Sequence, residues 1–309
     1  MASGVGILMY HAVVAIPLRV PDWCFLDAAS FEAQVGFLRE RCDVIPLSEV
    51  AAKLRRGRSG RPAVAITFDD GFQNNHDVAL PILRDAGLPA TVFLVTGLLG
   101  TDDTPWYCRL HHALEQTHRP AFTWGELDLP LGDAGLRADA SATLQRSLKT
   151  LPHPELLAAV RGIVRDLGGD PDAPIAPTSP YRMLDLPAIR AMLASGLIEL
   201  GAHTRSHAIL SLLPAESQRR EIAESVHRVA ELSGGPCRVF AYPNGRRMDY
   251  DAAGLACLNQ LGVELAVTAE TGISQAETPR LELLRLGIGG LVGTDDFAAL
   301  RAWVEDAGS

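Results

Sequence analysis

Short apolar segments alternate with amphipathic helical segments along most of this chain. Parallel strands need a crossover connection, which a helix usually provides, so this alternation predicts a parallel sheet covered by helices. About seven such strands over 309 residues favour a closed α/β barrel, whose active site would lie at the carboxyl ends of the strands. The predicted strands are Gly6–Tyr10, Ala63–Phe68, Ala90–Val95, Ile198–Ala202, Arg238–Ala241, Glu264–Thr268 and Leu283–Ile288. Predicted helices include one that Ser30 caps and that ends at Arg41, and a closing helix over Asp295–Asp306.

One long segment, residues 101–181, interrupts this alternation. It contains no convincing strand, but it has helical patterns around Trp106–Thr117, Ala134–Leu151 and Pro154–Leu167, followed by a proline-rich stretch. We interpret it as a helical insertion within one barrel domain that spans residues 1–309. The insertion could serve as a lid that shapes the substrate site. Alternatively, it could be a packing element that joins copies of the chain into a homo-oligomer, and both alternatives stay open.

The composition argues against two classes of function. The formal net charge is −9 and the pI is near 5.5, which disfavours binding to the phosphate backbone of nucleic acids. No apolar run reaches the roughly 20 residues that a transmembrane helix needs. The five cysteines lack CxxC spacing, so we expect free thiols in a reducing compartment. These features, with no basic segment at the N-terminus, predict a cytoplasmic protein without a transmembrane segment, unless the sequence has been trimmed.

Polar side chains follow two of the predicted strands. Asp69 and Asp70 come directly after Ala63–Phe68, and His203 and His207 follow Ile198–Ala202. Adjacent carboxylates repel one another unless they are exposed or offset by a cation. Two imidazoles and one carboxylate form a three-ligand site of the zinc type. Taken singly, the first motif could be an ordinary turn and the second a pair of surface histidines, but together they predict a metal site.

A third motif, residues 238–245, combines a short strand with a turn. Arg238 at the start of the strand could hold a carboxylate ionised through charge-assisted hydrogen bonds. The turn after Tyr242 frees backbone N–H groups that could bind an oxyanion. The alternative interpretation is a plain strand and turn with a surface arginine.

These three motifs resemble those of a known family. Thr67-Phe68-Asp69-Asp70-Gly71, His203-Thr204-Arg205-Ser206-His207 and Arg238-Val239-Phe240-Ala241-Tyr242-Pro243 are similar, in the same order, to the first three motifs of the polysaccharide deacetylases, the NodB-homology group. The opening Leu8-Met9-Tyr10-His11 resembles one subgroup of that family. The resemblance covers roughly residues 5–98 and 183–290, and it implies the family's distorted (β/α)7-type barrel.

The resemblance also implies a role for each matching residue. Asp70, His203 and His207 would hold a divalent metal ion, with zinc as the favoured ion. Asp69 would be the general base that activates the attacking water, and Arg238 would orient and ionise Asp69. The backbone N–H of Tyr242 would support the tetrahedral oxyanion.

The chain departs from the family pattern at its late motifs. The usual Leu-x-x-His, whose histidine protonates the leaving amine, has no counterpart, because no histidine follows His227. The usual Asp-Trp motif is not evident either. His11 ends the first predicted strand and is therefore our candidate for the acid, although it could simply pack at the barrel end. Arg285 could bind the sugar or pair with a carboxylate, and Tyr107 could contact the sugar or belong to a core.

The sequence therefore predicts a metal-dependent hydrolase that removes the acetyl group of an N-acetylated carbohydrate. One alternative is an O-acetyl esterase or a small-amide hydrolase, because the same centre attacks either bond. Another is a catalytically silent carbohydrate-binding homologue. The identity of the sugar is left open.

Overall fold

The computed structural model describes residues 4–57, 60–290 and 296–308. The strands are β1 (Val5–Tyr10), β2 (Ala12–Val14), β3 (Phe25–Asp27), β4 (Asp43–Val44), β5 (Ala63–Phe68), β6 (Ala90–Leu94), β7 (Ala121–Trp124), β8 (Leu127–Pro130), β9 (Ile198–Ala202), β10 (Val239–Ala241), β11 (Leu265–Thr271) and β12 (Leu283–Gly287). The α-helices are α1 (Ala28–Arg41), α2 (Val50–Arg56), α3 (Leu80–Ala86), α4 (Trp106–Gln116), α5 (Ala134–Leu148), α6 (His153–Asp166), α7 (Leu186–Ala194), α8 (Ala215–Ser233), α9 (Ala252–Gln260) and α10 (Phe297–Gly308).

Seven of these strands form a closed parallel barrel. The order around the barrel is β1, β5, β6, β9, β10, β11 and β12, and β12 pairs back with β1. The short strand β4 pairs with the first residues of β5 outside this ring. The register between β11 and β12 shifts, which makes the barrel irregular. The predicted fold class, a distorted (β/α)7-type barrel, is confirmed.

The barrel strands are apolar because both of their faces are buried. All six residues of β1 and all six of β5 are buried. One set of side chains, including Ile7, Ala65 and Phe93, fills the barrel interior, and a larger set packs between the barrel and its helices. Burial on both faces is what produces nearly continuous apolar runs in parallel sheets.

Two predicted helix boundaries differ from the observed ones. Helix α1 is capped by Asp27, whose side chain accepts a hydrogen bond from the Ser30 N–H at 2.9 Å, so Ser30 is inside the helix and was wrongly predicted as its cap. An aspartate three residues upstream competes well for the same N-terminal N–H groups. The closing helix is observed over Phe297–Gly308, and Asp295, its predicted start, lies outside the described residues.

The segment between β6 and α7 contains α4, a β-hairpin, α5 and α6, which surround a second hydrophobic cluster. The prediction that residues 101–181 contain no strand was wrong, because β7 and β8 pair in antiparallel register from Ala121↔Pro130 to Trp124↔Leu127. Gly125 allows the tight turn between them with a φ of 60°. The strands are four residues each and largely exposed, so the hydrophobic pattern gave little signal.

Across the described parts of the chain, none of the helices combines the length and the apolar composition needed to span a bilayer.

Candidate metal centre and active site

Backbone strain is concentrated in loops that follow the barrel strands and carry polar side chains. In the described residues, four positions other than glycine have a positive φ, and all four lie in loops that follow β5, β9 or β10. They are Asp70 (72°), Thr204 (61°), His207 (58°) and Asn244 (61°). Residues other than glycine rarely adopt a positive φ unless the surrounding structure holds them there, and those that do cluster at functional sites. The same loops carry most of the residues predicted from the three motifs.

Asp70, His203 and His207 lie side by side at the carboxyl ends of β5 and β9. Asp70 Oδ1 is 3.5 Å from His203 Nε2 and 3.3 Å from His207 Nε2. One ligand atom from each of the three residues lies within 4.8 Å of the others. His203 Nδ1 is 2.8 Å from the Ala241 carbonyl, which fixes this nitrogen as the donor and leaves Nε2 with a free lone pair.

The electrostatics of these three side chains fit a cation. Asp70 is fully buried, and its Oδ1 has no hydrogen-bond partner. Burial, together with the neighbouring charge of Asp69, raises the pKa of Asp70 to about 7 when no cation is bound. Burial lowers the pKa of both His203 and His207, so each imidazole is neutral, as a metal ligand must be. The orphaned carboxylate oxygen facing two neutral imidazoles therefore fits a divalent ion.

Tyr107 on α4 brings the insertion into this centre. Its hydroxyl donates a hydrogen bond to Asp70 Oδ2, and its ring centroid lies 5.6 Å from that of His207. This contact holds the Asp70 carboxylate with Oδ1 towards the histidines. From the sequence, Tyr107 was expected only as a sugar contact or a core residue, and no local pattern indicates its partner.

Asp69 is held by Arg285, and the predicted partner Arg238 was wrong. Arg285 Nη1 and Nη2 donate to Asp69 Oδ1 and Oδ2 at 2.7 and 2.8 Å, and its Nε donates to the Thr268 carbonyl at 2.6 Å. Burial alone would raise the pKa of Asp69, but the Arg285 guanidinium outweighs it and holds this pKa well below its usual range. The carboxylate is therefore ionised.

Arg238 lies at the other end of the barrel. It precedes β10, so it is at the amino end of the strand, and it forms an exposed ion pair with Glu264, which precedes β11. An arginine at a strand start cannot reach the carboxyl ends where Asp69 lies. In the sequence, Arg285 was the better candidate for the partner of Asp69, because a charge inside an apolar strand needs a buried partner.

His11 follows β1 and lines the same cavity as Asp69 and His203. Its Nδ1 has no partner, and its ring meets the Trp23 ring edge-on with a centroid distance of 4.8 Å. Burial lowers the pKa of His11 to about 4, so the imidazole is neutral at pH 7. The structure brings His11 to the predicted place, and its role as the acid stays a prediction.

The Tyr242 N–H is not free, which counts against its predicted role as an oxyanion donor. It donates to the Val267 carbonyl at 3.3 Å in the barrel ladder. The Tyr242 hydroxyl donates to the Leu281 carbonyl at 2.9 Å, and its ring stacks on Tyr250 at 4.0 Å. The Tyr242 N–H is occupied because the pairing of β10 with β11 continues past Ala241.

A cavity of about 280 Å³ lies above these groups. Asp69, Arg285, His11 and the two histidines line it from the barrel. Tyr107, Gln145 and Lys149 line it from the segment between β6 and α7.

The sequence profile of the family described as Polysaccharide deacetylase matches residues 56–121 and 181–266. The chain belongs to the polysaccharide deacetylase family. The matched segments contain Asp69, Asp70, His203, His207 and Arg238, while residues 122–180 fall between them.

Two curated relatives match over short segments. YxkH of Bacillus subtilis, named as a polysaccharide deacetylase, is 34% identical over 98 residues, which are 30% of this chain and 33% of the relative. A Staphylococcus aureus poly-β-1,6-N-acetyl-D-glucosamine N-deacetylase is 29% identical over 79 residues, which are 25% of this chain and 27% of the relative. The matches therefore span about a third or less of each of these deacetylases.

Several solved structures match over nearly the whole chain, including two with a TM-score of 0.63. The deacetylase PplD of Streptococcus pyogenes, in complex with acetate, has a TM-score of 0.63 at 19% identity and covers 96% of this chain and 97% of its own. IcaB from Ammonifex degensii has a TM-score of 0.63 at 19% identity and covers 98% of both chains. At this identity the likeness shows that the fold is shared, and nothing finer.

Proposed function

We propose that this member of the deacetylase family is a metal-dependent hydrolase that removes the acetyl group of an N-acetylated sugar. The observation that carries the proposal is the juxtaposition, in one cavity, of the Asp70, His203 and His207 ligand set with an ionised Asp69. The Staphylococcus aureus relative, named for poly-β-1,6-N-acetyl-D-glucosamine, supports an N-acetylated hexosamine as the substrate.

Asp70, His203 and His207 would hold the metal ion, and two imidazoles with one carboxylate favour zinc. The ion would supply Lewis acidity, which polarises a carbonyl and makes a coordinated water more acidic. Tyr107 keeps the carboxylate of Asp70 oriented for this task through its hydrogen bond to Oδ2.

Asp69 accepts the proton of the attacking water in this proposal. The bidentate contact with Arg285 fixes both carboxylate oxygens in position and keeps them ionised, and each oxygen retains a lone pair for a proton. General base catalysis needs a deprotonated group within reach of the attacking water, and Asp69 is ionised and lines the same cavity as the ligand histidines.

His11 is the proposed proton donor to the leaving amine, because it lines the same cavity as the ligand histidines. Because its pKa is about 4 in the free protein, the imidazole is neutral and must take up a proton, which solvent supplies, before it protonates the amine. Amine expulsion needs this proton, and a positioned acid is worth about 10²–10⁴-fold in rate.

The neutral state of His11 also favours a second candidate, an O-acetyl esterase on the same centre. An alcohol leaving group depends less on prior protonation than an amine does. Comparing turnover of an N-acetylated sugar with that of its O-acetylated counterpart separates the two. Faster O-deacetylation, unchanged in His11→Ala, would favour the esterase.

The test of the main proposal is acetate release from a panel of N-acetylhexosamine compounds, with and without a chelator. Asp69→Asn should abolish turnover while the metal stays bound, and His203→Ala should lose the metal. Arg238→Gln is the control and should keep both metal and turnover, because Arg238 is remote from the cavity. Full activity of Asp69→Asn would show that the assignment of the base is wrong.

We also propose a cytoplasmic location, supported by five cysteines that are all buried and free. Cell fractionation tests it, and recovery of the native protein from the medium would contradict it. The homo-oligomer predicted through residues 101–181 stays a prediction.

A further inference from the structure

The cavity carries positive charge that its own walls do not balance. Among the described residues that line it, Asp69 is the one carboxylate, and Arg285 already neutralises that carboxylate. Two further cations, Lys149 and Arg246, line the same cavity. The chain as a whole has a net charge of −9, so this excess of positive charge is local.

Neither cation has a partner in the described part of the chain. Among residues 4–57, 60–290 and 296–308, no carboxylate forms an ion pair with the Lys149 ammonium or the Arg246 guanidinium, and neither group forms a side-chain hydrogen bond. The charges of two carboxylates, Asp249 and Asp22, act on Lys149, and both carboxylates accept hydrogen bonds from neutral groups. Asp249 accepts from Asn244 Nδ2 at 2.5 Å and from the Arg246 backbone N–H at 2.8 Å, and Asp22 accepts from the Cys24 N–H at 2.9 Å.

Lys149 lines the same cavity as His11, His203 and His207. The side chain is partly buried, and Gln145, one helical turn earlier on α5, lines the cavity beside it. Withdrawing an ammonium from water without a partner is unfavourable unless a ligand supplies the opposite charge.

Lysine is also a rare residue in this chain. Only two of its 28 basic residues are lysines, and the other, Lys53, pairs with Asp43 at 3.5 Å. Lys149 lies in residues 122–180, between the two segments that match the family. Arg246 reaches the cavity from the loop after β10. The insertion and the barrel thus each contribute one cation.

We propose that Lys149 and Arg246 form a subsite for an anionic group, a phosphate or a carboxylate, attached to the N-acetylated sugar. The proposal rests on the function proposed above, and it narrows the substrate to acidic N-acetylated sugars. A guanidinium donates paired N–H groups to two oxygens of a phosphate or carboxylate, and an ammonium adds a compact charge. Gln145 offers an amide to a neighbouring hydroxyl.

Differential labelling of the two lysines tests the subsite without relying on turnover. The full chain is treated with a limiting amine-acetylating reagent in the presence of chelator, so that no metal binds the anion, and each lysine is quantified by peptide mass spectrometry. The probes are N-acetylglucosamine 1-phosphate, N-acetylmuramic acid, neutral N-acetylglucosamine and inorganic phosphate, at equal concentrations. Lys53 is the internal control.

At least one acidic sugar should slow labelling of Lys149 by fivefold or more, while the neutral sugar leaves it unchanged and Lys53 reacts at a constant rate. The acidic sugar that protects identifies the group as phosphate or carboxylate. Equal protection by neutral sugar, or protection by none of the sugars, would overturn the proposal. Protection by inorganic phosphate equal to that by the sugar phosphate would reduce the site to a simple anion site and would also overturn it.

Kinetics provide the second readout. Arg246→Gln and Lys149→Gln should each raise KM for the acidic sugar about tenfold, with a much smaller effect on a neutral sugar. Arg247→Gln is the matched control, because Arg247 contacts Glu282 and the Tyr250 ring and does not line the cavity. An equal KM change for both sugars would contradict the subsite. If no sugar were turned over, the proposed deacetylase function would be wrong, whereas the labelling experiment would still test the anionic subsite on its own.

Discussion

Replacement of Arg285 by glutamine should destabilise the protein strongly, because it leaves the Asp69 carboxylate buried without its counter-charge. Arg285 and Asp69 are both almost fully buried and share two hydrogen bonds. Removing one partner of a buried pair typically costs about 3–5 kcal/mol. With an unfolding entropy of about 2.1 cal/mol/K per residue, 309 residues lose about 1 °C of Tm per 0.65 kcal/mol. The expected loss is therefore about 5–8 °C.

Thermal unfolding of the chelated protein, followed by circular dichroism at neutral pH, measures this loss. Arg238→Gln removes an exposed ion pair and should lower Tm by about 1.5 °C or less, since such pairs contribute about 0–1 kcal/mol. Adding Asp69→Asn to Arg285→Gln should recover part of the loss, because no buried charge remains. A Tm for Arg285→Gln equal to that of Arg238→Gln would refute the reasoning.

Two further substitutions test contacts at and near the centre. Tyr107→Phe should weaken metal affinity about 10–100-fold by freeing the carboxylate ligand, as measured by competition with a chromogenic chelator, while Tyr181→Phe, which loses a hydroxyl bonded to a remote glutamate, should leave affinity unchanged. Gly201→Ala should lower stability by about 1–3 kcal/mol in urea unfolding, because the added Cβ would lie 2.4 Å from Phe93 Cδ1. Gly36→Ala on α1 meets nothing within 4 Å and should be neutral or stabilising.

The barrel could be predicted because its signals are local. Each barrel strand is a short apolar run, as in Ala63–Phe68, and the polar residues that end β5 and β9 stand next to those runs. Parallel strands then bring their carboxyl ends to one rim, which is why Asp70, His203 and His207 meet. No long-range information was needed for this step.

The partner of Asp69 could not be identified without knowing which distant residues lie close together in the fold. Arg285 is 216 residues away in sequence and reaches Asp69 only because closure of the barrel sets β12 beside β1, which pairs with β5. The arginine chosen from the sequence, Arg238, lies within the family motif but at the amino end of its strand. The resemblance predicted that an arginine holds Asp69, but only the barrel topology shows that this arginine is Arg285.

The contacts between the insertion and the barrel were even harder to predict from the sequence. Its helices follow from amphipathic patterns, and α4, α5 and α6 lie close to their predicted ranges. How these helices dock on the barrel depends on tertiary packing, which has no local signature. Consequently Tyr107 and Lys149 could not be assigned to the cavity from sequence.

The central claim is that Asp70, His203 and His207 bind one divalent ion. Its most direct test is metal content by mass spectrometry after loading with zinc and removal of free metal, for the unmodified protein and for His203→Ala. We expect one zinc per chain in the former and almost none in the latter, with Arg238→Gln binding one. An unmodified protein that retains no zinc, or a His203→Ala variant that retains a full equivalent, would contradict the claim.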